Sequence, residues 1–321
     1  MRTLPILASI ILASCLGSAA AQEYPTRPIK IVVPQPPGSG ADVVGRMLAE
    51  RMTVELGQPV VVENKPGANG IVASQLVAKE TPDGYTLLQT SVSLVSFNQF
   101  LYKNTGVDPI RDFTFIAPLA DASFLVVASN ASGIKTWAEF LAKAKAKPDG
   151  ITYGSGGLGN STHLYTEMIG RRAGLQLRHI PYKGPAASLL AILSGEVDVM
   201  VVPTVVAAGQ LNSGKLAILA QSGEVRSPAL ASVPLLKDLS PEVPPLPGWY
   251  ALVGPAKMDP KVVQKVSVAV NHFLGDPAVQ ARLRGQYLEP IPGTPEGIQR
   301  RGSEEAALWG GLIRDLKIQA D

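Results

Sequence analysis

Cysteine is nearly absent: Cys15 is the only one in 321 residues. That excludes a disulfide framework and a cysteine-based zinc cluster. Charge is sparse, at 17% against 46% hydrophobic residues, which excludes a disordered chain. Aromatic residues make up only 6%, and no Lys/Arg block occurs. The chain therefore lacks base-stacking platforms and the basic footprint of a nucleic-acid binder. No stretch reaches the roughly 18 apolar residues that span a bilayer. There is no G-x-S-x-G nucleophile elbow and no H-E-x-x-H helix. Gly (31) and Pro (27) are plentiful but follow no repeat, so collagen-like and low-complexity chains are excluded.

What is present reads as a globular chain of net charge +3. At about 150 residues per domain, its length suggests two domains. A chain this long can bury about 75% of its unfolded surface, so it needs no metal or disulfide staple. Residues 1–21 read as an export signal: Arg2, an apolar run from Thr3 to Leu16, and the cleavage site Ala19-Ala20-Ala21. The mature chain is expected to begin near Gln22, in the periplasm. Leu12-Ala13-Ser14-Cys15 also fits a lipoprotein box, which would anchor the protein through Cys15. The short signal this would leave favours ordinary cleavage.

Beyond the signal, strand and helix patterns alternate, which predicts an α/β fold with largely parallel sheets flanked by helices. Strands are expected at Ile29–Val33, Val60–Glu63, Tyr85–Gln89 and Phe124–Ala128, and later at Ile151–Tyr153, Leu177–Pro181, Val197–Val202, Leu216–Ala220 and Trp249–Val253. Asp112–Leu119 reads as irregular because Pro118 breaks it, and Ser227–Pro247 as surface loops. The same unit occurs twice: strand, Gly-rich loop, polar cap, helix. The first loop runs Pro34 to Asp42, with Ser39 and Asp42 at capping-box spacing. The second runs Gly154 to Thr162, and Asn160-Ser161-Thr162 is a strong N-cap cluster. A Gly-rich loop entering a helix N-terminus presents free N–H donors and the positive end of the dipole, which suits an anion without any arginine. Such loops also serve simply to reverse the chain. Their repetition points to binding.

Other signals are weaker. Gly154, Gly156 and Gly159 satisfy G-x-G-x-x-G, but no acid follows in Gly174–Ile180, which argues against a dinucleotide. His163, His179 and His272 have no ligand spacing, although His163 lies close enough to the second loop to touch a ligand. Glu50 and Glu55, or Glu196 and Asp198, read as solvated face charges. Lys183 could reach a ligand carboxylate or could be a turn lysine. Trp249 and Tyr250 could wall a cleft or pack the core.

Taken in order, these segments resemble the Bug proteins, the substrate-binding receptors of tripartite tricarboxylate transporters. The matching segments are Tyr24-Pro25-Thr26-Arg27-Pro28-Ile29, Gly38-Ser39-Gly40-Ala41-Asp42, Gly57-Gln58-Pro59 through Gly67-Ala68, Pro82-Asp83-Gly84-Tyr85, Tyr153-Gly154-Ser155, Ser161-Thr162-His163-Leu164, Pro181-Tyr182-Lys183-Gly184, Gly214-Lys215-Leu216, Arg226-Ser227-Pro228-Ala229-Leu230 and Trp249-Tyr250. The resemblance implies a two-domain periplasmic binding protein of type II, closing like a clamshell. Residues 22–122 and 249–321 would form one domain and 123–248 the other, with crossings near Ala122 and Gly248. It implies a small carboxylate, or its amide, held between the domains and passed to the transporter's membrane subunits. It implies a monomer without catalytic activity, cofactor or metal. Carried over, the ligand contacts fall at Ser39, Gly40, Ala41 and Asp42, and at Ser91, Val92 and Ser93. From the other domain they fall at Asn160, Ser161, Thr162, Lys183, Pro203 and Thr204. Two departures stand out. Gln35-Pro36-Pro37 replaces the family's aromatic and small residues, with Ala41 in place of Thr. Val202 also stands where the family usually has an Asp that meets a ligand amine. A ligand without an amino group is therefore expected. A sensor of the same fold, signalling to a membrane histidine kinase, and an exported enzyme on this scaffold are the alternatives.

Overall fold

The computed structural model describes residues 23–223 and 230–320. The export segment with Cys15, and Ser227 to Ala229 of the Pro-rich stretch, lie outside the described residues. The chain opens with β1 (Ile29–Val33), α1 (Gly40–Leu56), β2 (Val60–Asn64), α2 (Ile71–Val77), β3 (Thr86–Ser91) and β4 (Phe113–Ala122). It then leaves for a second sheet through β5 (Phe124–Ser129), α3 (Trp137–Ala146), β6 (Thr152–Ser155), α4 (Ser161–Ala173), β7 (Arg178–Pro181), α5 (Pro185–Ser194), β8 (Val199–Pro203) and β9 (Leu216–Gln221). It returns as β10 (Trp249–Pro255), α6 (Pro260–Gly275), α7 (Pro277–Gly285), β11 (Leu288–Pro290) and the long α8 (Pro295–Leu316).

The first sheet has six strands in the order β11-β4-β10-β3-β1-β2, the second five in the order β7-β6-β8-β5-β9. The α/β class holds, and both sheets are mixed where the alternation suggested largely parallel ones. β1 pairs in parallel with β2 and β3, and β6 with β7 and β8, as strand–helix–strand units require. The strands that leave and return are antiparallel. β4 carries the chain out and β10 carries it back, so the two run in opposite directions, with Trp249 beside Asp121. β5 likewise runs against β8 and β9. The two crossings touch: Ala122 N–H donates to the Gly248 carbonyl at 2.8 Å.

The expected irregular stretch at Asp112–Leu119 is a correction. All but its first residue belong to the ten-residue β4. Pro118 fits because a register shift opposite Tyr250 and Ala251 relieves the ladder there.

Local chemistry accounts for the helix starts. Ser39 Oγ accepts from Asp42 N–H at 3.2 Å, and α1 stops at Gly57, whose φ of 68° is the left-handed conformation glycine adopts most easily. Asn160 caps α4 in the same way. β1 is buried at four of its five positions, as expected of a strand covered on both faces. The aromatic core spans both sheets: Tyr165 of α4 meets Phe124 edge-on at 4.9 Å and lies 5.3 Å from Trp309 of α8. Among the described residues no helix is long and apolar enough to cross a membrane.

Candidate functional site

A cleft with about 460 Å³ of empty space, part of it open to solvent, lies where the two sheets' units face each other. The first unit contributes Gln35, Ser39, Gly40, Ser91, Val92 and Ser93. The second contributes Asn160, Ser161, Pro185, Pro203 and Val206. The crossings supply Ala122, Phe124, Gly248, Trp249 and Tyr250. No Asp, Glu, Lys, Arg or His is among these residues.

The first wall is the start of α1. The N–H groups of Gly40 and Ala41 have no hydrogen-bond partner among the described residues, as expected for the first turn of a helix. The Ser91 and Ser93 hydroxyls are likewise unpartnered, although both residues are buried. The second wall is the start of α4. Asn160 Oδ1 accepts from Thr162 N–H at 3.1 Å, which leaves its own NH₂ donors free. Among the described residues, Ser161 has neither its N–H nor its hydroxyl engaged. Pro185, the first residue of α5, brings a third helix N-terminus to the rim. The cleft is thus rich in donors, carries positive dipole ends and has no fixed charge.

Eight of the thirteen residues singled out in the sequence line this cleft: Ser39, Gly40, Ser91, Val92, Ser93, Asn160, Ser161 and Pro203. The other five do not. Asp42 is turned back into its own loop. It accepts from Gly38 N–H at 2.9 Å and Asn64 at 2.9 Å, and pairs with Arg46 at 3.0 Å. Burial opposes ionisation, but these hydrogen bonds hold the carboxyl below its ordinary pKa. The Ala41 side chain is buried behind the helix start, so only its N–H is offered. Thr162 is fully buried, accepting from Gly156 N–H at 2.8 Å and donating to Asn160 at 3.0 Å. Thr204 accepts from Ser123 at 2.8 Å and ties the end of β8 to the crossing. Lys183 is exposed and outside the lining.

Gln35, Ala122, Phe124, Pro185, Val206 and Gly248 line the cleft without having been singled out as ligand contacts. The crossing positions themselves would have pointed to Phe124 and Gly248, because any ligand between the units must pass beside the crossings. Nothing local marks Val206. Trp249 and Tyr250 do both jobs, lining the cleft while almost wholly buried. Trp249 Nε1 donates to Glu305 at 2.6 Å, and Arg301 joins Glu305 at 3.0 Å to Asp121 at 2.7 Å.

His163 does not line the cleft; it supports the second loop from behind. Its Nδ1 accepts from Gly159 N–H at 3.1 Å, so the neutral ring carries its proton on Nε2, which faces Glu167 at 4.0 Å. The ring stacks on His179 at 4.1 Å, and His179 stacks on Tyr153 at 4.7 Å and bonds Ser155 at 2.6 Å. On the other side, Asn69 donates to the Gly159 carbonyl at 3.1 Å and so bridges the two units. Burial pushes His163 down to about 3, helped by His179, and burial pushes His179 down to about 4. The unfolded chain takes up these protons near pH 6.5. Stability is therefore complete above about pH 6.5 and falls as the pH drops toward the folded values. Melting curves stepped from about pH 7 to about pH 4 are expected to show this fall, and His163→Gln is expected to flatten part of it. Parallel slopes for the two proteins would contradict the assignment.

Residues 44–318 match the model of the tripartite tricarboxylate transporter family receptor. A protein of Cupriavidus necator described as "UPF0065 protein in gbd 5'region" is 38% identical over 311 residues, covering 97% of this chain and 94% of its own. Among solved structures, R. palustris Rpa4515 with adipate superposes with a TM-score of 0.88 at 28% identity, over 92% of this chain and 99% of that one. The periplasmic binding protein BugD gives 0.86 at 30% identity, over 92% and 99%. MatC from Rhodopseudomonas palustris with bound malate gives 0.84 at 26% identity, over 90% and 100%.

Proposed function

This chain belongs to the tripartite tricarboxylate transporter receptor family, and from that premise we propose that it captures a small carboxylate in the periplasm and delivers it to the transporter's membrane subunits. The carrying observation is the cleft itself, a charge-free chamber whose two walls are helix N-termini with unpartnered donors. A carboxylate accepts and never donates, so every free N–H and hydroxyl there can serve it. The adipate and malate held by related proteins support the same chemical class. With no acidic residue in the lining, nothing repays the desolvation of an ammonium group, so amino acids are poor candidates.

We place the two lobes at residues 22–122 with 249–321, and at 123–248, hinged at Ser123 and Gly248. Closure around the ligand excludes water and strengthens its polar contacts. One chain supplies both walls, so a monomer suffices. The role is that of a receptor, as the family and the solved relatives that are binding proteins support. A melting-temperature screen of small mono- and dicarboxylates, with the amines of equal length as controls, tests this. At least one carboxylate is expected to raise the melting temperature, since ligand that binds only the folded state stabilises it by mass action. A response to amines alone would overturn the assignment.

A further inference from the structure

Beyond the Ser91 and Ser93 hydroxyls, the cleft holds one more polar group that neither the capping pattern nor the Gly-rich loops account for. Tyr250 is 7% exposed, yet its hydroxyl opens onto the cleft and makes no hydrogen bond to any described residue. The hydroxyl lies against the first turn of α1: an ideal Cβ on Gly40 would be 2.6 Å from it. Beside it are the unpartnered N–H groups of Gly40 and Ala41. The hydroxyl is not sealed off from the cleft, so its proton is free to go to whatever fills that space. Burial also keeps this phenol protonated, well above its ordinary pKa, so it remains a neutral donor.

We infer that Tyr250 donates its hydroxyl proton to one carboxylate of the ligand and adds to the first lobe's preference for a carboxylate over the matching carboxamide. This rests on the carboxylate reading above. The two N–H groups can only donate. An amide can give its oxygen to the two N–H groups and its NH₂ to the Tyr250 oxygen, but only a carboxylate takes all three as donors and makes the Tyr250 hydrogen bond charge-assisted, roughly twice as strong as a neutral one. Trp249, next in the chain, spends its N–H on Glu305 and is not available for this role.

The test compares wild type with Tyr250→Phe by calorimetry, using C4 to C6 dicarboxylates and their monoamides as probes. The ring and its packing stay, so the unliganded melting temperature should stay as well. Carboxylate affinity is expected to fall by about tenfold or more, and the preference for acid over monoamide to shrink with it. Equal carboxylate affinity in the two proteins, within about twofold, would overturn the role of Tyr250 while leaving the carboxylate reading intact. If the wild type binds none of the acids, the carboxylate reading itself fails, and this role with it.

Discussion

Gly40→Ala is expected to weaken ligand binding by roughly 5- to 150-fold, with a smaller loss of stability in the unliganded protein. A Cβ at this position would lie 2.6 Å from Tyr250 Oη and 2.9 Å from Val205 Cγ1. Tyr250 belongs to the first lobe and Val205 to the second. The added methyl would therefore press on Tyr250 within the first lobe and, against Val205, act as a wedge between the lobes. Overpacking of this kind costs about 1–3 kcal/mol, which is the quoted range of affinity when the strain exists only in the closed state. Within α1 alone, alanine is the better helix former by about 1 kcal/mol. The two effects separate by measurement: calorimetry should report weaker binding, and thermal melting without ligand should report only the smaller cost of displacing Tyr250. Gly311→Ala, where a Cβ would meet nothing within 4 Å, is the matched control and should bind like wild type. Wild-type affinity in Gly40→Ala would mean that the ligand is held without approach of Val205 to α1.

Gly248→Ala is expected to damage the fold itself. The new Cβ would lie 2.3 Å from the Ala122 carbonyl oxygen and 2.6 Å from Phe124 Cε2. Neither crossing can retreat easily, because Ala122 N–H is bonded to the Gly248 carbonyl at 2.8 Å and Phe124 packs on Tyr165. The obstacle is backbone and not the end of a flexible side chain. A loss of about 3 kcal/mol is expected, equivalent to a fall of roughly 5 °C in melting temperature for a chain of this size. Chemical denaturation of the purified variant would check it. A midpoint equal to that of the wild type would show that the two crossings are not pressed together.

Much of this architecture could be read from residue patterns. β1, α1 with its Ser39 cap, α4 with Asn160, and the Gly174 stop all follow from local rules acting within a few residues. Pro118 misled because proline argues against a strand unless the partner's register shifts, and that shift is a property of β10, more than a hundred residues away. The polar residues misled in a different way. Asp42, Ser161 and Thr162 all have the chemistry to hold an anion and the chemistry to cap a helix. Only the hydrogen-bond partners decide: Asp42 and Thr162 are spent on their own loops, whereas Ser161 is free. Tyr250 could have been either core or wall, and it is both, since its ring is buried while its hydroxyl opens onto the cleft. Phe124 and Val206 come from separate segments brought together by the fold, so no spacing rule could have joined them to Ser39.

The most direct measurement is a calorimetric titration of the wild-type protein with the acid most stabilising in the melting screen, and in parallel with the diamine of the same carbon number. Saturable binding of the diacid with no heat from the diamine is the expected result. A protein that took up the diamine, or bound the two alike, would contradict a chamber rich in donors and free of acidic charge.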